Sequence, residues 1–361
     1  MGDERRKETA RVTRGRGATA NPDGRYLDTT REIFDDGWEI DEDVPKLTTS
    51  VTEESPKTLI NRNKSPDLPF ELSINPYRGC EHGCVYCYAR PAHAYVDLSP
   101  GLDFESKLFS KPNAAELLRK ELKSARYKCS PISLGANTDA YQPIERGLKI
   151  TRSILEVLHE CNHPVTIISK SSLVERDLDL LAPMAEKNLA QVFISITSTD
   201  RTLARRMEPR AAAPQRRFET IRRLHAAGVR AGVMVAPIIP GLNESEIESI
   251  VEQAVDCGAQ SAGYVMLRLP REVRELFKSW LETHYPLKYS RVMSNIRDVR
   301  AGNESDSDFH RRLRGTGPVA GLIKQRFEKV VKRCGLNLSR HQLNCDLFVP
   351  PAKDQNQLSL F

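Results

Sequence analysis

Short β-branched runs alternate with amphipathic helical stretches through the middle of this chain, and that alternation limits the available folds more than any other feature. Candidate strands cover residues 72–75, 132–135, 165–169, 192–197, 231–236 and 262–267, each a short apolar run bounded by turn residues. Helical periodicity fills the gaps at 114–126, 145–158, 175–186, 215–227 and 244–256, and a further stretch at 272–281 follows Pro270. Six β/α units in strict alternation predict an α/β chain with a parallel sheet and right-handed crossovers, as an open doubly wound sheet or as a full or partial barrel. In either form, ligands gather at the carboxyl ends of the strands.

The flanks read differently. Residues 1–54 are polar, basic and then acidic, and predict a largely irregular N-terminal arm, with the β/α core over 55–270. Residues 271–348 read as a helical C-terminal extension, clearest near 319–333, and 349–361 as a polar flexible tail. The N-terminus lacks an apolar leader and no apolar run reaches spanning length, so the sequence predicts no membrane association and a cytoplasmic location. With eight cysteines in 361 residues, a disulfide framework is not expected. Three of them crowd together; Cys129, Cys161, Cys257, Cys334 and Cys345 are scattered and read as reduced thiols.

The crowded segment is Asn75-Pro76-Tyr77-Arg78-Gly79-Cys80-Glu81-His82-Gly83-Cys84-Val85-Tyr86-Cys87-Tyr88, a Cys-x3-Cys-x2-Cys loop directly after the first strand. Thiolates are the preferred ligands of iron-sulfur clusters, and three of them leave one iron of a 4Fe-4S cubane open to an exogenous ligand. Zinc held by Cys80, His82, Cys84 and Cys87 is the competing reading, although zinc prefers ligand pairs spread over two loops. The motif, with Tyr86 just before its third cysteine, resembles that of the radical S-adenosylmethionine (SAM) superfamily. The resemblance implies a partial (β/α)6 TIM-like barrel, a 4Fe-4S cluster held by Cys80, Cys84 and Cys87, and SAM chelated at the open iron. An electron, from a donor yet to be identified, would cleave SAM to a 5'-deoxyadenosyl radical.

A closer resemblance, over most of 55–270, is to the spore photoproduct lyase-related branch, in an uncharacterised bacterial subgroup. It rests on Thr138-Asp139-Ala140-Tyr141-Gln142-Pro143-Ile144-Glu145, Ser169-Lys170-Ser171 and Glu208-Pro209-Arg210, and more weakly on Gly15-Arg16-Gly17-Ala18 and Leu267-Arg268-Leu269-Pro270. It implies that Lys170 pairs with the SAM carboxylate and that Asn137, Thr138, Ser195 and Thr197 hydrogen-bond its amino-acid or ribose portions; a helix cap or a satisfied core hydroxyl is the alternative for each Ser or Thr. Pro237 and Ile239 sit in a run, Ala236 to Asn243, that resembles the fifth-strand loop lying against adenine, with Asn243 also placed to cap the next helix. Tyr86 and Tyr88 occupy the places of the lyase's radical-relay tyrosines. The lyase's hydrogen-donating cysteine has no counterpart in Ile132-Ser133-Leu134-Gly135-Ala136-Asn137, so the resemblance carries fold and cofactor further than substrate.

Arginines at 201, 205, 206, 210, 216, 217, 222 and 223 predict a basic rim after the fourth strand that would attract phosphates and permits DNA, RNA or a protein substrate equally. The final Gln357-Leu358-Ser359-Leu360-Phe361 resembles the pentapeptide with which bacterial repair proteins dock on the DNA sliding clamp, with Leu360 and Phe361 as apolar anchors. Upstream, the looser echo at 342–348 is expected to pack. The reading is a radical SAM enzyme acting on DNA, in repair or base modification. RNA or protein modification, and a non-catalytic zinc-binding nucleic-acid adaptor, are the alternatives.

Overall fold

The computed structural model describes residues 13–26, 47–338 and 341–352. Six strands form its centre: β1 (Leu72–Ile74), β2 (Ile132–Leu134), β3 (Val165–Ser169), β4 (Ala190–Ser195), β5 (Arg230–Ile238) and β6 (Ser261–Met266). They lie side by side in sequence order, every neighbouring pair parallel. That order decides between the architectures left open by the sequence. A doubly wound sheet needs the order to reverse at a switch point, whereas same-handed crossovers that always step one strand onward put every helix on one face and curl the sheet away from them. The result is a partial barrel. Among the described residues β6 does not return to β1, whose outer edge pairs antiparallel with the short strand Asn61–Arg62.

Side chains alternate across a strand, so each strand here serves two surfaces. Ile132, Leu134, Val165, Ile167, Val192, Ile194, Ala231 and Val233 join the main apolar core beneath the helices. Ser133, Thr166, Ile168, Gln191, Phe193, Ser195, Met234 and Gly263 line the concave side. The outer layer is α1 (Ala114–Leu122), α2 (Ile150–Glu160), α3 (Leu178–Glu186), α4 (Pro214–Ala226) and α5 (Ile247–Asp256), followed by α6 (Val273–His284), α7 (Tyr289–Asp298) and α8 (Gly317–Arg333). In α2 the buried positions Ile150, Ile154, Leu155, Val157 and Leu158 follow the helical period.

Two local expectations change. The helix read over 145–158 is broken at Lys149, which takes a left-handed conformation (φ 55°). The break lets the Glu145 carboxylate fold back and accept hydrogen bonds from the Thr151 and Arg152 amides, satisfying donors that a helix start leaves unpaired. Asn243 stands at the N-cap position of the short 3-10 turn Glu244–Glu246, but its side chain makes no cap hydrogen bond there. Its side chain instead accepts from the Ile239 amide at 2.7 Å and donates to the Thr197 and Pro237 carbonyls at 2.7 and 3.0 Å, stapling the end of β5 to the end of β4.

The C-terminal extension covers the exposed edge of β6. Asn337 exchanges hydrogen bonds with the Ala262 backbone (3.2 and 2.8 Å), Arg314 donates to the Tyr264 carbonyl (2.9 Å), and Arg300 reaches the Leu267 carbonyl. An edge that would otherwise offer free backbone groups to another strand is thereby blunted. Residues 341–348 pack, as expected. Phe348 lies against Tyr127 and His163, with ring centroids 5.6 and 5.2 Å apart, and the segment closes the amino-terminal end of the barrel.

Candidate functional site

A cavity of about 1300 Å³ fills the concave side of the sheet. Single small-molecule sites take roughly 300–1,000 Å³, so there is room for more than one ligand. The three crowded cysteines line it together with Tyr86, Tyr88, Asn137, Thr138, Lys170, Ser195 and Pro237. Thr197 and Ile239 are not on its wall: both are fully buried, Ile239 in a second apolar cluster and Thr197 in a polar network.

The cysteine loop is held from both sides. Below it, Cys84, Val85 and Tyr86 pack on Leu203, Met207 and Ile239 and on Val273, Phe277 and Trp280 of α6. Across it runs the segment Arg16 to Thr19, buried although it holds neither helix nor strand. The Gly17 and Ala18 amides donate to the two oxygens of Glu105 (2.9 and 2.8 Å), and the fully buried Arg90 pairs with the same carboxylate at 2.5 Å while donating to the Cys84 carbonyl at 2.9 Å. At Gly17 a Cβ would stand 1.8 Å from the Gly83 carbonyl oxygen. Part of the polar N-terminal arm is therefore a component of the site, a role its composition does not reveal.

Burial pushes the Cys80 thiol well up, with Asp139 adding to the effect, and raises Cys84 to about 12 against the opposing pull of Lys170. Such thiols suit a cluster, whose iron supplies the positive charge that lets buried sulfurs ionise together. His82 Nδ1 faces Asp139 at 3.3 Å, and among the described residues no group of three His, Cys, Asp or Glu side chains is gathered about a single metal position.

Beside the loop lies a buried charge network that the sequence did not single out by role. Glu208 is ion-paired to Arg217 and accepts hydrogen bonds from Tyr86 and, at 2.5 Å, from Thr197. Burial would raise the Glu208 carboxyl, but Arg217, Lys170 and these two hydroxyls outweigh it and hold the group ionised. Burial would likewise lower Lys170, yet Cys84 and Glu208 prevail and its ammonium is raised. Lys170 stands 5.9 Å from the Tyr86 ring centre. Arg217 had a legible signal: it shares the buried face of α4 with Phe218, Ile221 and Leu224, where a charged residue demands a partner.

The other implied ligands are partly committed to the protein. Asn75 accepts hydrogen bonds from the Asn137 and Thr138 amides, and the Thr138 hydroxyl donates to the Tyr77 carbonyl at 2.9 Å. Asp139 holds the end of β3, accepting from the Ser169 hydroxyl (2.8 Å) and the Lys170 amide (2.7 Å). Asp139 thus positions Lys170. Tyr88 is 44% exposed, but to the cavity. Surrounding protein and Cys87 push its phenol up to about 12, its hydroxyl donates to the Ala136 carbonyl, and Arg268 lies 5.4 Å over its ring.

The basic rim expected after β4 is partly paired. Arg217 belongs to Glu208, Arg216 and Arg223 to Glu175 at 2.6 and 3.0 Å, Arg222 to Glu219 at 2.5 Å, and Arg210 to Glu81 at 3.0 Å. Charge counted along the sequence overstated the field in part because two of these acids, Glu81 and Glu175, lie outside the arginine-rich stretch.

A curled parallel sheet with a three-cysteine loop and a lysine at its carboxyl end is the arrangement of a radical SAM enzyme. A family model described as the radical SAM superfamily matches residues 74–254, half of the chain, and the protein belongs to that superfamily, whose members use a 4Fe-4S cluster and SAM. An uncharacterised protein of Mycobacterium tuberculosis is 36% identical over 234 residues, covering 63% of this chain and 69% of its own. An uncharacterised protein of Methanocaldococcus jannaschii is 29% identical over 240 residues, covering 66% and 85%. Among solved structures, a spore photoproduct lyase mutant superposes with a TM-score of 0.52 at 15% identity over 78% of this chain and 79% of that one. The lyase complexed with dinucleoside spore photoproduct gives 0.51 at 14% identity, over the same shares. The shared fold accords with the family resemblance read from the sequence. No helix among the described residues is long and apolar enough to cross a membrane.

Proposed function

We propose that Cys80, Cys84 and Cys87 hold the 4Fe-4S cluster, that Lys170 receives the SAM carboxylate, and that the enzyme acts on DNA, in repair or base modification. When bound, the cluster and SAM supply a 5'-deoxyadenosyl radical. The chain's own residues orient and enclose. Asp139 fixes the strand end that carries Lys170, Glu208 and Arg217 hold Tyr86 by its hydroxyl, and Pro237, stapled by Asn243, offers an apolar wall for adenine. Asn137 and Ser195 reach the cavity and can serve the polar portions of SAM, while Thr138 and Thr197 act on the frame around it.

The observation that carries the substrate assignment is the cavity itself, whose volume leaves space beyond SAM. The likeness in fold to a lyase solved with a dinucleoside photoproduct points the same way. Photoproduct reversal by the lyase's route is not part of the proposal. No cysteine follows β2, and Cys129 precedes it, at the opposite end of the barrel beside Cys345. Tyr88, with its hydroxyl at the cavity wall, is the better placed of the two tyrosines to relay a radical; Tyr86 is enclosed.

Recruitment to the sliding clamp is assigned to residues 357–361, which lie outside the described residues. Two assays test the reading. Deuterium exchange into 5'-deoxyadenosine, run over pools of DNA, RNA and protein, should respond to DNA; a response confined to RNA or protein overturns that assignment. A fluorescent peptide spanning residues 353–361 should bind a purified bacterial clamp with affinity near the micromolar range, and the Leu360→Ala and Phe361→Ala peptides should not. Equal binding by all three, or none, removes the clamp.

A further inference from the structure

The structure assigns to Arg268 a role nothing above has used: we propose that it is an anion site for the substrate, receiving a phosphodiester of the DNA strand that enters the cavity. The proposal deepens the DNA reading and rests on it.

Arg268 follows β6 at the carboxyl end of the sheet and lines the cavity. Its arginine neighbours on that wall are spoken for. Arg312 makes a two-pronged pair with Asp67 (2.7 and 2.6 Å), and Arg314 donates to the Tyr264 carbonyl while lying 4.2 Å over the same ring. The guanidinium of Arg268 has no hydrogen-bond acceptor among the described residues. What holds it is the face of Tyr88, 5.4 Å away, a contact that leaves the guanidinium edge and its N–H groups free. The carboxylate whose charge reaches it, Asp67, already has both oxygens on Arg312, and Arg312 repels it. A cation taken partly out of water beside a second cation, on the wall of a cavity, is stabilised when an anion arrives. Guanidinium forks match phosphate oxygens with two parallel hydrogen bonds.

Its place in the sheet separates this site from the cofactor's. Lys170 leaves β3 and Arg268 leaves β6, three strand spacings apart, or about 14 Å along the sheet at roughly 4.8 Å per spacing. Lys170 stands with Cys84, Tyr86 and Glu208 and Arg268 lies over the Tyr88 ring, and the charges of both bear on the Tyr88 phenol. Two anions can therefore be held at once, the SAM carboxylate by one and a substrate phosphate by the other, with Tyr88 between the cluster loop and the second.

The test uses the reconstituted full-length enzyme. Binding of a single-stranded DNA oligonucleotide is followed by fluorescence anisotropy across a salt series, for wild type, Arg268→Gln and Arg268→Lys, with iron content as the check on folding. Losing one charge-assisted phosphate contact should weaken binding roughly tenfold and lower the salt slope by about one, and Arg268→Lys should restore most of the slope. In parallel, inorganic pyrophosphate is titrated calorimetrically against wild type and Arg268→Gln. If DNA fails to bind wild type but pyrophosphate binds and is lost in Arg268→Gln, the anion site stands and the DNA reading falls. Arg268→Gln matching wild type in both assays, or wild type binding neither probe, overturns the site.

Discussion

Gly17→Ala tests whether the N-terminal arm belongs to the active site. A methyl group there would sit 1.8 Å from the Gly83 carbonyl oxygen and 3.3 Å from the Val85 amide nitrogen, both backbone atoms of the cysteine loop. Backbone cannot swing aside as a long side chain can. Bringing the first contact out to 3.0 Å requires the arm and the loop to separate by about 1.2 Å. Overpacking of this kind costs about 1–3 kcal/mol. Either the Gly17 and Ala18 amides leave Glu105, stranding a carboxylate whose remaining partner is the buried Arg90, or the segment between Cys80 and Cys84 shifts and the three thiols lose their common geometry. The expected outcome is a folded protein, melting several degrees lower, that takes up less than half the iron of wild type after anaerobic reconstitution and shows weaker cluster absorbance. Far-ultraviolet circular dichroism establishes that the β/α core persists. Wild-type iron content and SAM cleavage in Gly17→Ala would refute the claim that the arm sets the loop.

Replacing Cys80, Cys84 or Cys87 with Ala should abolish cluster assembly and SAM cleavage, whereas Cys334→Ala, at the end of α8, should leave iron content unchanged; iron analysis decides both. Glu208→Gln removes the carboxylate that partners the buried Arg217, so it should destabilise the fold by about 3–5 kcal/mol in chemical denaturation, and a Tyr86→Phe change made on top of it should cost much less than it does alone. His163 is buried as the neutral ring, with Nε2 2.6 Å from the Tyr127 hydroxyl and Nδ1 3.0 Å from the Pro164 carbonyl, and burial lowers its pKa to about 4. The unfolded chain takes up the proton near pH 6.5 and the folded chain near 4, so this residue's contribution is present above pH 6.5 and is lost as the pH falls toward 4. His163→Phe keeps an aromatic ring edge-on to Phe348 and should flatten the decline in melting temperature across that window.

Much of this protein is legible in its sequence because the signals are local. Strand and helix periods come from which residues can bury one face of a short element, and all six strands lie where the periodicity puts them, within about two residues. The cysteine loop is local for the same reason: one turn of chain must supply three thiols, so their spacing is written in eight consecutive residues. Tertiary structure decided what depends on groups far apart in the chain. Strand order, and with it the curled sheet instead of a doubly wound one, is a matter of which strand each crossover lands beside. Pairing of Arg216 and Arg223 with Glu175, and of Arg312 with Asp67, reduced the charge of an apparently basic surface and left Arg268 with no acid of its own. The arm around Gly17, polar and without period, reads as unstructured because what orders it are distant groups, the Glu105 carboxylate 88 residues from Gly17 and Ser279 beside Thr19 among them, and no local pattern can announce partners at that distance.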